Sequence, residues 1–215
     1  MTADVCATDW YVDVNIGSNA NTGLSPVRPF KTITYGLLAC SAGDRIFVAS
    51  GTYSYVAGAA GTETFPLTTH KNNITIQGRG SPKPVITAAG YPPSAWLSNL
   101  AITIQPRDGW TLKDLRIENV GYDKRPGSTY TTVPFHAIHG VHVLDLATSF
   151  TAQGLELFDN FWGIWIEDQS INSHPNARTV TIDGCLFEDQ GPTISPSLAV
   201  TDIGHAALVI GGETT

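Results

Sequence analysis

Three short strings of the sequence each carry an acid at a similar place. LRIENV (115–120), LELFDNF (155–161) and CLFEDQG (185–191) overlay by pattern. The overlay stacks Glu118, Asp159 and Glu188 in one column, and Asn119, Asn160 and Asp189 in the next. On neighbouring parallel strands such acids would lie roughly 5 Å apart. Like charges at that distance raise one another's pKa. Retaining glycosidases place two carboxylates at about this separation, which makes Asp159 and Glu188 candidate catalytic residues. The same spacing would let Glu118, Asp159 and Glu188 share a calcium ion, a hard cation that takes oxygen ligands. A plainer reading stands beside these. Acids solvated at turns do no chemistry, and a column of asparagines ladders its side-chain hydrogen bonds to hold the turn.

A second overlay matches His136-Ala-Ile-His, Trp162-Gly-Ile-Trp and His205-Ala-Ala-Leu. It stacks His136, Trp162 and His205. Long segments separate Asn119 from His136 and Asp189 from His205, whereas one residue separates Asn160 from Trp162. The outer strings therefore carry loops (121–135 and 191–204) where the middle string is tight. The two loops would wall a floor made of Asp159, Asn160, Trp162 and Glu167, with His136 and His205 beside it. Aromatic faces with a few polar groups are what sugar recognition uses, so Asn160, Trp162, Glu167, His136 and His205 are candidate substrate-binding residues. Trp162 sits at the turn. Strand alternation sends either Trp165 or Ile166 inward. His136, His139 and His142 follow at i, i+3 and i+6, so they alternate faces and form no metal triad.

The elements that must position these residues are short strands. The runs NITIQG, PVITAAG, LAITIQP, WTLKDLRIENV, HGVHVLDL, AQGLELFDN, GIWIEDQ, RTVTIDGCLFEDQ and HAALVIGG alternate over a few residues and end at Gly, Asn or Asp. Helical periodicity is almost absent after residue 43. The 215 residues suffice for one domain with a real core. Only 14% are charged, and the formal net charge is −7. That balance argues against a nucleic-acid backbone or an anionic membrane surface as partner. No apolar run reaches the 18 or more residues of a membrane span, so membrane insertion is not expected. Cys6, Cys40 and Cys185 are too few and too scattered for a zinc site. Cys6 and Cys40 either form a disulfide or stay as free thiols. Asn73-Ile74-Thr75 matches a glycosylation acceptor but falls within a predicted strand.

The N-terminal segment is the most informative. Trp10 to Val14 reads as a strand and Gly17 to Pro29 as a loop. Thr32 or Thr34 opens a helix through Ala42 with Ile33, Leu37 and Leu38 on one side, and Arg45 to Ser50 is a strand. The residues Tyr11-Val12, Gly23-Leu24-Ser25, Pro29-Phe30-Lys31-Thr32-Ile33, Ala42-Gly43-Asp44, Ile46, Val48 and Gly51-Thr52-Tyr53 form a pattern. This pattern resembles the N-terminal end of right-handed parallel β-helix proteins of the pectate-lyase-like superfamily. The resemblance implies an all-β solenoid over residues 1–215 with a short capping α-helix in its first 53 residues. A cap is physically needed, because the first coil would otherwise expose an open strand edge and an open apolar lumen.

The resemblance further implies an extracellular or cell-surface protein that binds or processes a polysaccharide or oligosaccharide. Lyases of that superfamily abstract a proton beside a uronate carboxyl with Lys or Arg, often near calcium. Lys124 and Arg125, in the first wall loop, are the residues here that could serve. They match no lyase motif and equally suit a solvated loop. The N-terminus carries no signal peptide pattern. The last run, HAALVIGGETT, stops without a cap, which fits a fragment of a longer solenoid or a non-catalytic subunit stacking end to end as a homo-oligomer.

Overall fold

The computed structural model describes residues 7–68, 70–87, 101–104, 109–118, 139–144, 149–158, 160, 162–167, 179–188 and 208–211. Its strands form three parallel sheets. The first runs in the order β1 (Asp9–Val12), β2 (Arg45–Ala49), β4 (Thr75–Arg79), β7 (Trp110–Lys113), β10 (Ser149–Gln153) and β13 (Thr179–Asp183). The second holds β3 (Thr52–Ser54), β5 (Val85–Thr87), β8 (Arg116–Glu118), β11 (Glu156–Phe158) and β14 (Leu186–Glu188). The third holds β6 (Ile102–Ile104), β9 (His139–Leu144), β12 (Trp162–Glu167) and β15 (Leu208–Gly211). The chain visits the sheets in turn, so each circuit stacks on the one before. This is a right-handed parallel β-helix, as the repeats imply.

Alternation builds the core. Ile46, Ile76, Leu112 and Ala152 stack inward in the first sheet, and Ile86, Ile117 and Leu157 in the second. Val141 and Ile164 do so in the third. Each is sealed from solvent, and each buried Ile, Val or Leu contributes about 1.5–3 kcal/mol. The outward row of the first sheet is polar instead. Thr75, Thr111, Thr151 and Thr181 lie side by side along it.

The corner between the first and second sheets explains a feature missed in the sequence. The runs WTLKDLRIENV and RTVTIDGCLFEDQ read as single strands but each breaks in two. Asp114, Gly154 and Gly184 adopt left-handed φ values of 54°, 59° and 57°. Glycine takes this conformation freely and aspartate tolerates it. The next residue, Leu115, Leu155 or Cys185, turns back toward the core. The ladder continues through the bend, with Glu156 N–H donating to Leu115 O and Leu186 N–H to Leu155 O, both at 2.8 Å.

The cap is α1 (Ile33–Ala39), shorter than expected. Ile33 and Leu37 plug the lumen, but Leu38 is exposed rather than packed with them. Thr32 is the N-cap, and its hydroxyl accepts from Tyr35 N–H at 3.2 Å. The loop before the helix is set by Gly23 at φ 70°, where a Cβ would land on the Phe30 ring. Phe30 in turn bridges the backbone of β1, with Phe30 N–H donating to Tyr11 O at 2.9 Å. Asn73, expected within a strand, is an exposed turn residue at φ 57° ahead of β4. Cys40 is a buried free thiol, not half of a disulfide, and its Sγ–H points at Leu37 O.

Two buried carboxylates tie the cap down. Glu63 reaches across from the loop after β3. Its Oε1 accepts from Ile33 N–H at 2.7 Å. Its Oε2 accepts from Thr34 N–H at 2.9 Å and Thr34 Oγ1–H at 2.6 Å. These are orphan donors of a helix N-terminus, which favours negative charge. Asp44 accepts from Thr8 N–H at 2.8 Å, Trp10 Nε1–H at 2.8 Å and Ser41 N–H at 2.7 Å. It thereby joins the helix exit to β1. At the helix C-terminus Lys71 Nζ donates to Leu37 O at 3.1 Å and Leu38 O at 3.0 Å.

The two acids titrate in opposite directions. Burial pushes the Glu63 carboxyl up, and its three donors only partly offset that. Burial also acts on Asp44, but the Trp10, Ser41 and Thr8 donors outweigh it and hold the carboxyl below its usual range. A depressed acid adds stability above its unfolded pKa of about 3.9 and loses it as pH falls through the folded value. A raised acid adds stability below its unfolded pKa of about 4.3 and loses it as pH rises through the folded value. Urea titrations across pH 2.5–8 should therefore show the Asp44→Asn deficit shrinking toward acid. The Glu63→Gln variant should instead lose less stability than the wild type as pH rises through the folded pKa. Glu63→Ala should cost about 1–3 kcal/mol by orphaning buried donors. Parallel pH profiles for the two amide variants would contradict the assignment.

Candidate functional site

The two long insertions foreseen in the sequence fall at one corner. The chain leaves the second sheet at Glu118 and enters the third at His139; it leaves again at Glu188 and re-enters at Leu208. Between these coils, β11 ends at Phe158 and β12 begins at Trp162. A tight middle coil is thus bracketed by two insertions at the second-to-third corner. The loops 121–135 and 191–204, with Lys124, Arg125, His136 and His205, lie outside the described residues, as does Asp159.

The register corrects both overlays. Glu118 pairs with Phe158, and Phe158 with Glu188. Phe158, not Asp159, fills the middle of the acidic column. Glu118 and Glu188 are then two strand spacings apart, about 10 Å between their backbones. The physical reason lies inside the coil. Leu115, Leu155 and Cys185 stack inward after the left-handed corner, and that packing sets the frame; the acidic letters do not. Likewise Trp162 pairs with His139, and Ile164 with Leu208. His136 is three residues out of frame with Trp162, and His205 is one residue out of frame. Among the described residues no three acids, histidines or cysteines converge to hold a metal ion.

Asn160 is 1% exposed, and its Nδ2 donates to Ile117 O of the neighbouring coil at 2.9 Å. It pins the corner from within, as the turn-holding reading of the asparagine column expects. In β12, Ile166 points inward with Ile164, and Trp165 points outward. Trp162 and Glu167 lie on the same strand, at its two ends.

The outward side of the second sheet, next to this corner, carries charge around an aromatic ring. Arg116 lies over the Phe158 ring, its guanidinium carbon 4.6 Å from the centroid. Its Nε donates to Glu118 Oε2 at 2.6 Å. One coil on, Glu156 pairs with Lys83 at 2.9 Å, and Lys83 also donates to Gly154 O. Each of these carboxylates is already engaged by a cation, and all four side chains keep part of their surface in water. Cation, ring and carboxylate together make a mixed aromatic and charged patch on this face. The sequence signal for Phe158 was present in the alternation of LELF, once Leu155 is aligned with Leu115.

The third sheet is unlike the other two. In the first and second sheets outward residues are mostly half-exposed, but in the third Thr103 is 2% and His142 4% exposed. Their inward neighbours Ile102, Ile104, Val141 and Val143 are buried as well, so the sheet is shielded on both faces at Thr103 and His142. Thr103, His142 and Trp165 form one outward row. The His142 and Trp165 rings lie 5.2 Å apart at 31°.

Fold and corner together define a right-handed parallel β-helix with an N-terminal helical plug and two long insertions at one corner. The chain belongs to the family described as "Protein of unknown function (DUF1565)", which matches residues 15–212. No curated protein matches it. Among solved structures it is similar to the GH136 lacto-N-biosidase from Eubacterium ramulus, at 18% identity and a TM-score of 0.60, covering 94% of this chain and 40% of that one. It is also similar to a rhamnogalacturonan lyase, at 15% identity and a TM-score of 0.54, covering 85% of this chain and 50% of that one. The chain thus spans half or less of these neighbours' length. At such identities the likeness is one of fold.

Replacing Asn160 tests the corner. Asn160→Ala should lower stability by about 0.5–1.5 kcal/mol, since it removes a buried side-chain hydrogen bond to Ile117 O. Thermal unfolding should move down accordingly. An unchanged midpoint would mean that the Asn160 bond does not hold the corner.

Proposed function

We propose that this chain is an extracellular β-helix protein that binds and processes a polysaccharide over the second-to-third-sheet corner of its middle coil. The observation that carries the reading is the placement of two long insertions at that one corner on either side of a tight coil. The outward Arg116–Phe158–Glu118 group stands at its edge, and the Thr103–His142–Trp165 row, buried at Thr103 and His142, lies beyond it. In this reading Phe158 and Trp162 meet the apolar face of a sugar. Arg116, Glu118 and Glu167 meet its hydroxyl or carboxyl groups. Asp159, Glu188, Lys124, Arg125, His136 and His205 are the groups available for proton transfer. Glu118, Asp159 and Glu188 are the oxygen donors available to a calcium ion. The glycosidase and lyase named among the structural neighbours support carbohydrate as the ligand class.

Glycan screening with and without calcium tests this. Phe158→Ala and Trp162→Ala should each weaken the best glycan about tenfold, the scale of a lost aromatic contact, with unfolding unchanged. New reducing ends alone would show hydrolysis. Reducing ends with an unsaturated uronate product would show elimination. Full binding by both variants would overturn the placement of the site.

A further inference from the structure

A pocket of about 280 Å³ lies on the outward side of the first sheet, at the N-terminal end and on a different sheet from the corner described above. It is lined by Tyr11, Asp13, Pro26, Pro29, Phe47 and Arg79, among others. Tyr11 and Phe47 are neighbours across β1 and β2, with ring centroids 5.6 Å apart and tilted by 39°. The Arg79 guanidinium carbon sits 3.6 Å from the centre of the Phe47 ring. Stacking holds the fork in place without using its N–H donors. Arg45 flanks the same ring but is paired with Asp9 at 2.7 Å. Arg79 has no carboxylate partner among the described residues, in a chain of net charge −7. Asp13 Oδ1 is held by Asn15 N–H and Ile16 N–H, which fixes the carboxylate at the opposite rim.

We infer that this pocket binds a single acidic sugar ring, with Arg79 on its carboxylate, Tyr11 against its apolar face and Asp13 accepting from its hydroxyls. Three features select that ligand. An ordered guanidinium without a protein anion fits a planar carboxylate in bidentate fashion. An aromatic wall fits a ring rather than a small inorganic anion. The volume lies just under the roughly 300–1,000 Å³ of pockets that enclose larger ligands, so it suits one ring and not a chain. The site is independent of the second-to-third-sheet corner, and each can fail without the other.

The test uses the intact chain with D-galacturonate as probe, and D-galactose and acetate as controls. Binding is followed by calorimetry and by the NMR signals of the arginine Nε–H groups. Galacturonate is expected to bind in the millimolar range and to shift one arginine signal, absent in Arg79→Gln. Galactose and acetate should each bind at least tenfold more weakly. Arg79→Gln should weaken galacturonate by about tenfold to a hundredfold. Arg79→Lys, which keeps the charge but loses the fork, should fall between. Since Arg79 is exposed, these variants should unfold at the wild-type temperature. Undiminished binding by Arg79→Gln, equal binding of galactose, or equal binding of acetate would each overturn the proposal.

Discussion

The stacking of inward apolar residues in register is the constraint on which the rest of this structure depends. A parallel ladder supplies hydrogen bonds between coils, but those bonds are nearly the same for any register. What makes one register better is that Ile76, Leu112 and Ala152, or Ile86, Ile117 and Leu157, fall over one another inside the tube. A slip by one residue would send each apolar row outward. The left-handed corner at Asp114, Gly154 and Gly184 reinforces this, since it turns Leu115, Leu155 and Cys185 inward at the same point of successive coils.

A stack held this way has an end problem, and the N-terminal segment solves it. The lumen is closed by Ile33 and Leu37 of a helix too short to be stable alone. Its termini are therefore satisfied from outside: Glu63 at one end, Lys71 at the other, and Asp44 joining the exit to the first strand. Residues of the GLS, PFKTI, AGD and GTY strings thus share one structural task. Gly23 makes room for Phe30, Thr32 caps the helix, Asp44 gathers three donors, and Tyr53 donates its hydroxyl to Ala49 O at 2.8 Å.

Outward residues are free of the packing rule, and there the sheets diverge. The first presents a threonine row and, at one end, an aromatic pocket. The second presents ion pairs around Phe158. The third buries Thr103 and His142 on its outward side as well. Insertions collect at the corner between the second and third sheets because a loop there leaves the inward stacks undisturbed, whereas one within a strand would shift the register of every later residue. This is how a repetitive fold acquires a distinct surface at one place.

The sequence by itself determined the class of fold, the helical plug and the corner that takes the insertions. Alternating Ile, Val, Leu and Thr in short runs leaves few other architectures, and the uneven spacing around Asn160 marks where the loops must go. It did not determine the columns. Aligning Glu118, Asp159 and Glu188 by their charge ignored the inward leucines, which alone fix the frame, so Phe158 took the place given to Asp159. Nor does a lone string reveal that Asn160 turns inward to Ile117 O, or that Arg79 lies on Phe47 from the next strand. Those are decided between coils, by residues far apart in the chain, because an outward side chain acquires its neighbours only after the inward ones have set the register.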